Sequence, residues 1–186
     1  IDGARVAGMV IVPLAVSAYM LLVSIPKTME FAGGMKLFDM LPTGYTLEYA
    51  RELLERLGPD GRGAYLGHQI PVDMVYPALF ALSYSLLLVW LLRKTSRRPA
   101  AVLPSWIFWL SLIPILAGLF DYLENFGIIA MLLSFPDLPP WLVTISSTVS
   151  VTKATLTTVF FVALIVAAAV ALTRKLFGRS NTALRV

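Results

Sequence analysis

The chain has 186 residues, 58% of them hydrophobic and 14% charged, with a mean hydropathy of +0.80 and a formal net charge of +4. So small a charged fraction, against about a quarter in soluble domains, excludes an ordinary water-soluble domain and with it a folded basic face for nucleic acid. The absence of cysteine excludes disulfides, thiol nucleophiles and thiolate metal sites, and the single histidine leaves too few soft ligands for a transition metal.

Four apolar stretches, at about 6–25, 74–92, 104–134 and 141–173, each suffice to cross roughly 30 Å of hydrocarbon, which takes about 20 helical residues. The expected fold is an all-α integral membrane protein of one domain: a four-transmembrane-helix bundle with an extracytoplasmic loop, residues 26–72, that contains a short amphipathic helix.

Within that loop, "TLEYARELLERLG" places Thr46 at an N-cap and Gly58 just past the end. Leu47, Ala50, Leu53, Leu54 and Leu57 form its apolar face, and Glu48, Glu52, Glu55 and Arg56 the opposite one. This helix is expected to act as a lid, with Leu53 and Leu57 buried on the ends of the third and fourth spans. The following "GPDGRGAYLGHQIPVDMVYP" reads as a glycine-rich turn in which Pro71 prevents a regular helix from starting before it. It holds His68, whose ordinary pKa near neutrality makes it the first candidate for moving a proton.

Basic residues set the expected orientation. Arg5, Arg93, Lys94, Arg97, Arg98, Arg174, Lys175, Arg179 and Arg185 flank the spans on one side, where Asp2 is the single acid. The positive-inside rule then puts both termini in the cytoplasm, in the plasma (inner) membrane, with Trp90, Trp106 and Trp109 in an inner aromatic belt and Trp141 outside.

The third span contains "FDYLENFGI", where Asp121, Glu124 and Asn125 share one helical face. On the fourth, Ser146, Ser150, Lys153 and Thr157 form a polar stripe, and Ala163, Ala167 and Ala171 a small-residue seam for close packing. Counted from the basic ends, Asp73 lies 19 positions from Leu92, Asp121 17 from Pro104 and Lys153 19 from Leu172, so all three fall at one depth. Charge there is costly, so Lys153 is expected to pair with Asp121 or Glu124. A helix-locking ion pair would account for that much. One lysine cannot, however, neutralise Asp73, Asp121 and Glu124 together, and a remaining carboxylate must be protonated, hydrated or bound to something else.

The expected function is binding of a lipid-like or isoprenoid amphiphile in a polar pocket near the outer leaflet, with Asp73, Asp121, Glu124, Asn125 and Lys153 as ligand-binding residues. Were it an enzyme, His68 or Glu124 would transfer protons and Lys153 would stabilise negative charge. The alternative is a non-catalytic accessory subunit of a larger membrane complex, whose charges pin helices and whose lid docks a partner. The expected partners are thus membrane lipids or membrane-protein subunits, not nucleic acid. A proton-coupled transporter is disfavoured, because no carboxylate or histidine occupies the cytoplasmic half of the spans. No P-loop, dinucleotide fingerprint, nucleophile elbow or His-Glu-x-x-His pattern occurs, and the sequence assigns no cofactor or metal.

Overall fold

A computed structural model describes residues 3–95 and 105–183, and the described residues are helical apart from short turns and loops. Arg97, Arg98 and Arg185 lie outside the described residues, as do the side chains of Trp106, Lys175 and Arg179. We name the helices α1 (Gly3–Phe31), α2 (Leu47–Ala64), α3 (Ile70–Asp73), α4 (Tyr76–Thr95), α5 (Ser105–Ser134) and α6 (Pro140–Ala183). Four of the resulting helical stretches are long and apolar enough to cross a membrane.

Two prolines shape the chain without ending its helices. Proline lacks an N–H and its ring crowds the carbonyl four residues back, which an added residue in the turn relieves. A π turn, Met20–Ser24, stands just before Pro26 in α1, and a second, Tyr65–Gln69, just before Pro71 in α3. Helix α1 therefore continues past Ile25 to Phe31, and the expected glycine-rich turn after Gly58 is corrected to a largely helical segment. Only Gly58 itself interrupts it. With φ 61° and ψ −179°, a conformation open to glycine, Gly58 ends the first part of α2, and Pro59, preset for a first helical turn, begins the second.

The first part of α2 starts where Thr46 Oγ1 accepts the Tyr49 N–H at 3.2 Å. Ala50, Leu53, Leu54 and Leu57 are buried, while Glu48, Glu52, Glu55 and Arg56 are exposed. Each buried leucine contributes about 1.5 to 3 kcal/mol before ordering costs. Its second part rests on the end of α1: a Cβ at Gly61 would sit 2.6 Å from the Phe31 Cβ. Arg62 reaches across to the α5–α6 turn, over the Phe135 ring at 4.5 Å, and donates to the Leu54 carbonyl at 2.8 Å.

Helix α4 is the centre of the bundle, packed against α1, α5 and α6, and α5 and α6 form an antiparallel hairpin closed by Pro136, Pro139 and Pro140. Two apolar cores result. One joins Met20 and Ile25 of α1, the buried face of α2, and Ile128, Met131, Leu142 and Val143 of the hairpin. The other joins Phe80, Tyr84 and Leu88 of α4 to Ile107, Ala117, Phe160 and Ala167. On α5 and α6 these cores leave a gap, and Asp121, Glu124 and Lys153 fall in it.

Outside the cores the helices present large apolar side chains outward, among them Leu22 (77% exposed), Leu133 (67%) and Ile165 (67%). Trp109 and Trp141 are also exposed, and Trp90 is partly so. The basic ends meet: Gly3 of α1 abuts Trp90, and Trp90, Lys94 and Arg174 line one depression.

Candidate functional site

Close helix contacts bring the charges together. Gly118 of α5 lies one turn before Asp121, and a Cβ there would be 2.9 Å from the Pro77 carbonyl, one turn after Asp73. Only a glycine permits α4 and α5 to approach so closely, and that approach brings Asp73 and Asp121 to one place. Gly127 abuts Ser146 of α6 in the same manner. From that contact, six residues back along α5 and seven forward along α6 reach Asp121 and Lys153.

There the Lys153 ammonium donates to Asp121 Oδ1 at 2.9 Å and also to Glu124 Oε2. Both carboxylates are buried and the lysine is partly so. Ser150, one turn from Ser146, donates instead to the Ser146 carbonyl at 3.1 Å.

A cavity of about 210 Å³ adjoins this ion pair. Asp73, Asp121 and Lys153 line one side, and Met20, Leu21 and Ile25 of α1 the other. Tyr76 and Phe80 also line it, Phe80 belonging to an aromatic group with Tyr84 at 4.8 Å and Phe160 at 5.5 Å between ring centroids. Thr157 and Ser17 add hydroxyls. Asp73 is 3% exposed, and its Oδ2 has no hydrogen-bond partner.

One lining residue carried no sequence signal as a ligand: Asp39, in the short 3-10 turn Phe38–Met40 of the loop after α1. Its two oxygens accept from the Tyr65 hydroxyl at 3.1 Å and the Gln69 amide at 3.2 Å. Burial, and secondarily the Glu124 charge, push its carboxyl from 3.8 up to about 6, against the opposing effects of Lys153 and Tyr65. Its partners, 26 and 30 residues later, leave no local trace.

Three of the expected site residues are not among those lining the cavity, one of them Glu124, which Lys153 holds beside it. His68, expected to move protons, is exposed and hydrogen-bonded to the Tyr19 hydroxyl at 3.1 Å, and is not among the residues lining the cavity. The π turn carries its side chain outward while Tyr65 and Gln69 point in. Asn125 is fully buried, but it too is absent from the lining, and neither end of its amide finds a partner among the described residues. The Ser146 hydroxyl and Tyr45 phenol are likewise buried and unpartnered, and burial raises the phenol above its ordinary range. Tyr45 belongs to the loop before α2, which its backbone N–H fastens to Ser147 Oγ at 2.8 Å. Among the described residues no group of three or more histidine or acidic side chains is placed to hold a metal ion.

Comparison of the chain with protein-family models, with curated proteins and with solved structures finds no match. The reading of this site therefore rests on its own geometry.

Proposed function

We propose that the chain is a four-span protein of the plasma (inner) membrane that binds a small lipid-like or isoprenoid amphiphile in the cavity beside Lys153. Support for insertion comes from the broad outward apolar surface, since soluble monomers seldom expose contiguous apolar patches beyond a few hundred Å². The basic flanks, nine positive residues against one acid, favour cytoplasmic termini. The loop and α2 then lie outside, as a lid over the polar layer.

The single observation that carries the binding reading is the cavity itself, apolar along α1 and the aromatic group and lined by carboxylates and an ammonium where the two cores part. At about 210 Å³ it is smaller than the roughly 300 to 1,000 Å³ of drug-sized sites, so it suits a headgroup and the first carbons of a chain. The rest of the ligand would run past exposed Leu21 into lipid. Binding is favoured over catalysis because the one histidine is not among the residues lining the cavity and Glu124 is held by Lys153.

Native mass spectrometry of gently extracted protein tests this. One bound species in the lipid mass range is expected, and it should be lost from Thr157→Phe, which fills the cavity from its partly exposed wall. A stoichiometric protein partner with no bound lipid would overturn the proposal in favour of an accessory subunit.

A further inference from the structure

Resting on the amphiphile-binding reading, we infer that the ligand's polar end is a protonated amine, received by Asp73. The carboxylates beside the cavity differ in how they are satisfied. Asp121 and Glu124 share the Lys153 ammonium, and Asp39 accepts from Tyr65 and Gln69. Asp73 has no such partner: the residue is buried and lines the cavity, and its Oδ2 receives no hydrogen bond among the described residues.

A buried acceptor without a donor is costly, so the group entering the cavity should bring an N–H or O–H. Charge then decides between the two. Asp39, Asp73 and Asp121 line the cavity with a single ammonium, Lys153, which already serves Asp121 and, behind it, Glu124. A cationic donor relieves that imbalance, a hydroxyl supplies only the hydrogen bond, and an anion makes the imbalance worse. Lys153, tied to α5 through two bonds, is not positioned to turn to Asp73 without leaving Asp121 and Glu124 unpaired. The apolar wall of Met20, Leu21 and Ile25 gives the amine's carbon chain a path away from the charges.

Three probes of equal chain length separate the possibilities: dodecylamine, dodecanol and dodecanoate, titrated onto the full chain in phosphatidylcholine nanodiscs, with one-to-one adducts counted by native mass spectrometry. Dodecylamine should bind saturably and at least about tenfold more tightly than dodecanol, the ratio that one charge-assisted hydrogen bond supplies, and dodecanoate should not bind. Asp73→Asn should remove the amine's advantage over dodecanol. The wild-type ratio stands by itself should that variant fail to fold. Equal affinity for amine and alcohol would overturn the inference and leave the amphiphile reading intact, as would an amine advantage that survives Asp73→Asn in full. Saturable binding of none of the three would take down both.

Discussion

Lys153 is the residue on which the charged layer depends. Replacing it by methionine leaves Asp121 and Glu124 buried without a counter-charge, and Lys153→Met should cost on the order of 3 kcal/mol. The triple change Lys153→Met, Asp121→Asn, Glu124→Gln should recover most of that loss, because neutral amides tolerate the same surroundings. Thermal unfolding in detergent measures both, and strictly additive losses would refute the coupling. Asp39 gives a pH dependence of definite sign. Its folded carboxyl titrates at about 6, above its ordinary 3.8, so between those values the folded state holds more protons than the unfolded one. Its contribution to stability is therefore greatest below about 4 and falls as the pH rises through 6. Asp39→Asn removes that decline, so its unfolding temperature relative to wild type should be higher at pH 7 than at pH 4, and an offset that does not change with pH would refute it. Of these residues, Asp121, Glu124 and Lys153 were legible in sequence because ionisable groups stand out in apolar spans. Asp39 was not, being one of several acids in a polar loop.

At the scale of elements, glycine decides how α2 meets the bundle. Gly61 touches Phe31 and Leu57, with a would-be Cβ at 2.6 and 3.1 Å, whereas nothing lies within 4 Å of one at Gly63. Gly61→Ala should accordingly destabilise the protein by about 1 to 3 kcal/mol through overpacking, and Gly63→Ala should be neutral or stabilise it by up to about 1 kcal/mol through helix propensity. Equal effects in thermal unfolding would show that α2 does not rest on α1. The amphipathic period of residues 47–57 was readable, since its apolar positions recur every three to four residues and match the buried set. The helical course of residues 59–73 was not. Three glycines and two prolines there resemble a turn, and packing on Phe31, together with a π turn before Pro71, overrides those local preferences.

For the whole molecule, the proposed topology places residue 60 outside and residue 96 inside. The chain has no cysteine, so Asp60→Cys and Ser96→Cys each introduce one thiol. An impermeant maleimide applied to intact cells should label the first and spare the second until the membrane is opened. Labelling of both from the same side would end the four-span proposal.

Hydrophobic run length was sufficient to locate four long apolar helices, and the spacing of charges to bring Asp73, Asp121 and Lys153 to one cavity, because those properties accumulate along a single chain at a fixed rise per residue. Which helix stands at the centre, which side chains reach the cavity and which carboxylate is left without a partner were decided by tertiary contacts alone. Glycine-mediated approaches at Gly118 and Gly127 align α4, α5 and α6, and Asp39 meets Tyr65 and Gln69 from a loop far away in sequence. Hydrogen-bond partnership is a property of positions in space, and no period or composition along the chain encodes it.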